Sequence, residues 1–390
     1  MYDFSQLNQT LYDAAQSADV PGVVAMAATA DGLVYQGAFG KRTLPAGPEM
    51  TLDSVFWIAS MTKAITSTAA MQLVEQRKLS LDRPIREVLP ELSSPQVLEG
   101  FDAKGEPILR PAKRAITLRH LLTHTAGFGY GIWNPDVLRY QEKLGIPNVT
   151  SCLNIALTTP LTFDPGDKWH YGVNVDWIGK AVEKVSKKNL ETYFRDYIFE
   201  PLGMNDTGFI LSAERRSRLV GMHARQANGA LEPMPFEIPQ EPEFFMGGGG
   251  LYGTAWDYLT FQQMILHHGA FNRAQILKPD TVKLMSQNNI GDLDVQPLMT
   301  VSPLYSNNAE FFPGMVKKWG LGFMINTQAS PDAGRSAGSL TWAGLGNTYF
   351  WIDQTKQVAG LILTQIVPFA DPKVLDLYGK FERAIYQTVS

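Results

Sequence analysis

The chain has 390 residues, 45% of them hydrophobic, with a formal net charge of -4 and one cysteine. Such a composition supports a sizeable buried core and excludes disorder. No basic block offers a nucleic-acid footprint, no apolar run is long enough to span a bilayer, and a lone cysteine allows no internal disulfide.

In chain order, Phe4, Leu7, Leu11 and Ala14 recur at helical spacing, and this first helix ends before "VPG". The same N-terminus lacks the basic start and apolar segment of a secretory leader, so a cytoplasmic location is expected. Two apolar runs then flank Asp31-Gly32, a strong hairpin signal. The stretch "VFWIASMTKAITSTAAMQLVEQRK" predicts a long helix from near Ser60 to about Lys78. Its apolar residues, among them Ala64, Ile65, Ala69 and Leu73, cover a broad face, so the helix is expected to be central and buried. Residues 66–310 read mostly as helix and loop. "TLRHLLTHTAGFG" is a short helix stopped by Gly127, and "VDWIGKAVEKVSKKNLETYFRDYIFEPLG" is a pair of helices. The proline- and glycine-rich "NGALEPMPFEIPQEPEFFMGGGGLYG" is a long loop. Strand signals return in "LGFMINTQ", "SLTWAG" and "TYFWIDQTKQVAGLILTQIV". A last helix starts from Asp371, a good N-cap, with Pro372 at its first position.

Strands at both ends and helices between imply an α+β fold, with a central antiparallel sheet built from both chain ends and flanked by helices. The expected division is a discontinuous α/β lobe of residues 1–65 and 311–390 and a mostly helical lobe of residues 66–310. A catalytic cleft is expected between them, where small-molecule sites are commonest.

Chemistry enters at Ser60 and Lys63. A serine hydroxyl is a poor nucleophile until a base takes its proton. Residues three apart share a helix face, so Lys63 can reach that proton, and burial would lower its pKa enough to make it a base. The helix start adds partial positive charge and a backbone N–H for an oxyanion. Taken alone, Ser-x-x-Lys also describes ordinary polar residues on a helix surface. Two further elements accompany it. Tyr171, in "WHYGVNVDWIG", is a phenol able to relay a proton, or else a buried aromatic ahead of a helix. In "GSLTWAGLGNTYFWID", the small residues Ala343 and Gly344 let a strand approach a substrate, or else mark a glycine-broken edge strand.

The motifs "SMTK", "TLRHLLTHTAGFG", "YGVNVDWIG", "PLGMNDTGF", "GGGGLYGT" and "SLTWAGLGNTYFWID" occur in the order seen in the serine β-lactamase-like superfamily. The pattern covers nearly the whole chain. It most resembles the family VIII carboxylesterases and the fungal statin-side-chain acyltransferases, whose architecture is like that of class C β-lactamases and penicillin-binding proteins. The resemblance implies that Ser60 is the acylated nucleophile, Lys63 its proton partner and Tyr171 a general base and acid. It puts Trp342-Ala343-Gly344 on the third-motif strand and the oxyanion hole at the backbone N–H groups of Ser60 and Leu345. Tyr130 and Trp133 are expected to line an acyl or alcohol pocket, or simply to pack there.

The sequence departs from the β-lactamase pattern in two places. The second motif lacks Tyr-x-Asn: Val173 stands in the third place and Asn174 comes one step late. The third motif reads Trp-Ala-Gly where Lys-Thr-Gly is usual. Groups that hold a lactam carboxylate and acyl amide are therefore missing, several charge-assisted hydrogen bonds with them. Trp342 is expected to supply an apolar wall instead. The expected function is a serine esterase acting on short- to medium-chain carboxylic esters, with room for weak β-lactamase activity. The alternatives are an acyltransferase using the same acyl-enzyme, or an enzyme processing D-peptides or β-lactams. No cofactor and no metal is implied, and the expected partner is a small-molecule ester.

Other motifs carry weaker readings. "GRSAG" around Ser336 matches a nucleophile elbow but sits in a polar loop with no following helix. His120 and His124 share a helix face without the intervening glutamate or third ligand of a zinc site, so packing and capping are expected of them. His170 should point away from Tyr171, and Cys152 has no activating neighbour in sequence.

Overall fold

The computed structural model describes residues 2–331 and 334–389. In chain order, helix α1 (Ser5–Gln16) leads into strands β1 (Gly22–Thr29) and β2 (Gly32–Gly40). Helices α2 (Thr62–Glu75), α3 (Leu118–Leu122), α4 (Asn174–Ser186) and α5 (Ala255–Leu266) follow. The chain then forms β3 (Lys317–Trp319), β4 (Met324–Asn326), β5 (Leu340–Gly344), β6 (Thr348–Asp353) and β7 (Val358–Leu363). Helix α6 (Pro372–Val389) closes it.

These strands make one seven-stranded sheet in the order β3-β4-β5-β6-β7-β1-β2. Every pairing in it is antiparallel. The join between β7 and β1, with Ala27 opposite Gly360, stitches the C-terminal strands to the N-terminal hairpin. An α+β fold with a sheet drawn from both ends is therefore what the chain adopts. Strand β6 is buried along its whole length because both faces are covered. Tyr349 and Trp351 point to α6, their ring centres 5.1 Å from Tyr378 and 5.5 Å from Phe381. Phe350 points the other way, 5.2 Å from Tyr258 on α5. Covering both faces removes the polar alternation of a half-exposed strand. The Asp371 carboxylate accepts the backbone N–H groups of Lys373 and Val374, so it caps α6 as its sequence predicts.

Several details differ from expectation. The helix after Ser60 opens with a 3-10 turn, Ala59–Met61, and ends at Glu75, with Arg77 already at a φ of 57°. Helix α3 stops at Leu122, before Gly127, because His124 takes a left-handed φ of 58°. Residues 66–310 also hold strand pairs, Gln96–Phe101 with Pro107–Pro111 and Met222–Arg225 with Leu231–Met234. Their prolines and charges hide any alternating pattern. Helix α5 lies on the sheet: the Gln262 amide donates to the carbonyls of Trp351 (2.8 Å) and Gly360 (3.0 Å). We propose the division into residues 1–65 with 311–390 and 66–310 as the course of the chain, with α5 as the middle segment's contribution to the sheet. Among the described residues, no helix is long and apolar enough to cross a membrane.

The loop before β5 is tied down by charge. Arg335 donates to both carboxylate oxygens of Glu382 on α6, each at 2.7 Å, and to the Tyr378 hydroxyl at 2.9 Å. Both charged side chains are buried, 1% and 4% exposed. Removing one partner strands the other charge, so Arg335→Met is expected to cost about 3 kcal/mol in urea unfolding. The double variant Arg335→Met/Glu382→Leu should recover most of that loss. An unchanged midpoint in Arg335→Met would refute the account.

Candidate active site

Ser60 sits in the 3-10 turn between the Phe56–Trp57 strand and α2. Ala59, just before it, is held at a φ of 46°, a strained conformation for a residue with a side chain. Strand β5 presses on this turn. A Cβ at Gly344 would lie 2.4 Å from the Ile58 carbonyl oxygen, so only glycine permits the approach. Leu345 follows in the turn out of β5 and lines the same cavity as Ser60.

Behind the half-buried Ser60, the Lys63 side chain is 1% exposed. Its Nζ lies 3.0 Å from Ser60 Oγ, 3.1 Å from the Tyr130 hydroxyl and 2.5 Å from the Gly248 carbonyl oxygen. A carbonyl only accepts, so it consumes one N–H of the lysine. Each hydroxyl can give or take a proton. A neutral amine thus fits by directing its lone pair at one hydroxyl. Burial lowers the Lys63 pKa, and the Asp176 charge opposes that shift. Asp176, in the first turn of α4, is itself buried, and burial raises its pKa against the pull of Lys63. Gly248 links the two groups, donating its N–H to Asp176 at 2.8 Å while its carbonyl accepts from Lys63. A Cβ there would fall 2.5 Å from an Asp176 carboxylate oxygen.

Tyr171 is buried beside this pair, its ring centre 4.6 Å from Lys63 Nζ. Its hydroxyl accepts from the Trp342 indole N–H at 2.9 Å. Burial pushes the phenol pKa up, while hydrogen bonds from Ser60 and Trp342 pull it down. Burial raises the Tyr130 phenol as well, and the Asp176 and Tyr171 charges add to that shift. Both phenols therefore rest in the neutral form at ordinary pH, and of the groups near Ser60 the lysine is the one tuned toward accepting a proton.

The structure brings together the residues singled out in sequence, with two changes of detail. Trp342 is more than an apolar wall, because its N–H is spent on Tyr171. Tyr130 lines the cavity, yet its hydroxyl is also bonded to the lysine. Trp133 packs 5.5 Å from Tyr171 and donates its N–H to Ser306. Asp176 and Gly248 escaped the sequence reading. The signal for Asp176 was the one that exposed Lys63: a charge inside a run that is otherwise apolar. Asn174 is turned away to His124, its amide nitrogen 3.0 Å from the ring Nδ1.

The weaker motifs lie elsewhere. Ser336 stands in the loop before β5, its N–H donated to Asp353 at 2.8 Å. His120 closes a capping box with Thr117 at the start of α3. His124 is buried under Trp319 and Tyr171, and His170 turns to Thr162. Cys152 is buried, which raises its thiol pKa.

A cavity of about 420 Å³ opens onto Ser60, walled by Trp57, Tyr130, Trp133, Phe236, Met246 and Tyr305 among others. A much smaller space, about 10 Å³, lies on the other side of Ser60 against Tyr171, Trp342 and Phe369. A larger cavity of about 620 Å³ is floored by Phe128 and Trp177 and shares no lining residue with the Ser60 cavity. Ser60, with the Lys63 amine against its hydroxyl, makes the 420 Å³ cavity the candidate reactive one.

Two outcomes follow from this geometry. In Asp176→Asn the negative charge that favours the Lys63 ammonium is gone, while an amide oxygen still accepts from Gly248. The lysine pKa should fall further, so the acid limb of kcat/KM should move to lower pH; an acid limb that moves up or stays put would refute the pairing. Trp342→Phe keeps the wall but removes the donor to Tyr171. A loss of about tenfold in kcat/KM is expected, the size of one hydrogen bond, with little change in melting temperature. Undiminished activity would show that this hydrogen bond plays no part.

Comparison with known proteins agrees with the geometry. Residues 7–384 match the family model described as Beta-lactamase. The chain is 33% identical to ML-236A carboxylate methylbutanoyltransferase from Penicillium citrinum, over 99% of this chain and 94% of that one. It is 32% identical to lovastatin esterase from Penicillium rubens, over 98% of each. A mutant of simvastatin synthase from Aspergillus terreus superposes with a TM-score of 0.86 at 32% identity, covering 98% of this chain and 96% of that one. With the fold, the Ser60 geometry and these relatives in agreement, the chain belongs to the Beta-lactamase family, on the branch that includes the fungal statin acyltransferases and esterases.

Proposed function

We propose that the protein is a serine acyl-transfer enzyme that takes a short acyl group from an ester onto Ser60 and passes it to an alcohol or to water. The observation that carries this reading is the 3.0 Å contact between Ser60 Oγ and the buried amine of Lys63 at the floor of an uncharged cavity. Lys63 takes the Ser60 proton as Oγ attacks the ester carbonyl. The backbone N–H groups of Ser60 and Leu345 hold the oxyanion. Tyr171 gives its proton to the departing alcohol and regains one from Lys63. The second half runs in reverse, with water or an acceptor alcohol in the leaving group's place.

The 420 Å³ cavity has room for a small ester, whereas the 10 Å³ space beside Trp342 holds no more than about one water. Room for an alcohol serves the leaving group in hydrolysis and the acceptor in transfer alike; transfer is the first reading, in keeping with the relatives whose names describe acyl transfer. Hydrolysis alone, as in the relative named an esterase, is the second reading. β-Lactams should be poor substrates, since β5 offers Trp342 where a cation and hydroxyl would grip their carboxylate.

Stopped-flow with p-nitrophenyl butanoate tests the reading. A burst of p-nitrophenol is expected from the parent and from Ser336→Ala, and none from Ser60→Ala. Added 1-butanol should divert acyl groups into butyl butanoate. A burst surviving in Ser60→Ala would sink the mechanism, and the absence of butyl butanoate would leave hydrolysis as the activity.

A further inference from the structure

We infer that the 620 Å³ cavity is a second small-molecule site, one that takes an amphipathic carboxylate, with an apolar body over Phe128 and Trp177 and its charge at Lys180. The inference stands apart from the acyl-Ser60 reading, because the two cavities share no lining residue. The cavity falls within the range of about 300–1,000 Å³ usual for such sites. Its wall is drawn from segments far apart in the chain: the Pro90–Leu92 turn, the hairpin of Gln96–Phe101 with Pro107–Pro111, the Asn154–Leu157 turn and helix α4. Helix α4 serves both sites. Asp176 meets Gly248 and the Lys63 charge, while Trp177 and Lys180 line this cavity.

The floor is apolar. Phe128 and Trp177, 3% and 6% exposed, stack with ring centres 6.3 Å apart and planes 27° apart. Leu92, Leu157 and Leu161 are buried in the same wall. A hydrocarbon body leaves water and gains these contacts. The polar groups beside the floor are donors. Lys180 is half-buried, its amine 5.4 Å from the centre of the Phe244 ring, and among the described residues no carboxylate lies within 4.0 Å of it. Glu183, one turn on, feels that charge but spends an oxygen on the Leu190 N–H at 2.9 Å. The buried Trp177 indole nitrogen and Thr159 hydroxyl also lack a partner among the described residues. An ammonium, an indole N–H and a hydroxyl can all donate, and a carboxylate is the ligand group that only accepts. Glu91 is the carboxylate of the lining, and it is exposed, where water screens it.

Isothermal titration of the full chain with decanoate tests this. Saturable one-to-one binding is expected. It should be at least about tenfold tighter than that of decylammonium, which has the same body with the opposite charge, or of acetate, which has the charge without the body. Lys180→Met keeps the stem and removes the charge. It should weaken decanoate by about tenfold while the melting temperature of the ligand-free protein stays unchanged. Lys180→Arg should hold decanoate to within about threefold of the parent, because a charged donor is kept. Ser60→Ala, altered only in the other cavity, should bind decanoate as the parent does. Decanoate binding that Lys180→Met leaves untouched, or that Ser60→Ala abolishes, would put the ligand elsewhere and overturn the inference. Equal affinities for decanoate and decylammonium would overturn it too, as would the absence of saturable binding. None of these outcomes depends on whether Ser60 is acylated.

Discussion

An amine cut off from water must find its hydrogen bonds in the protein, and the site is arranged around that requirement at Lys63. Its three partners come from three places in the chain: Ser60 one turn away, Tyr130 in the loop after α3, and Gly248 in the glycine tract. Burial makes the neutral amine accessible, while Asp176 keeps the charged form from becoming prohibitive. The two influences oppose each other. A fully exposed lysine would stay protonated, and a buried one without a counter-charge would be pushed further toward the neutral form.

The backbone around the lysine is shaped by the same need. The tract Gly247–Gly250 runs so close to α2 and α4 that its peptide groups serve Thr66, Lys63, Asp176 and Trp57 in turn. Strand β5 brings Gly344 against the nucleophile turn from the opposite side, and the strained Ala59 sits between them. The sheet's coverage on both faces gives this approach its rigidity. Around Tyr171, the rings of Tyr130, Trp133, Trp342 and His124 lie within 5.5 Å, so the phenol has little freedom except toward Ser60.

Trp342 ties the sheet to the site through one hydrogen bond. On strand β5 its indole gives an apolar surface and one donor, and that donor is taken by Tyr171. Trp57 and Phe236 pack on each other in the wall of the 420 Å³ cavity.

Local patterns in the sequence were enough for the hairpin at Asp31-Gly32, the capped helix from Pro372 and the strands at both ends, because turn chemistry, capping and hydrophobic runs act between near neighbours. The Ser60–Lys63 pair was legible for the same reason, since three residues along a helix fix a contact. Tyr171, Trp342 and Leu345 were singled out through ordered motifs, and geometry then added the hydrogen bond between Tyr171 and Trp342. What only the tertiary structure decided are contacts between distant segments: Asp176 behind the lysine, Gly248 bridging them, the Tyr130 hydroxyl on the amine, and the wall of Trp57 and Phe236. No local pattern encodes which glycine carbonyl will meet which ammonium 185 residues away. That pairing is set by how the helices close on the sheet, and the lining of the cavity is set with it.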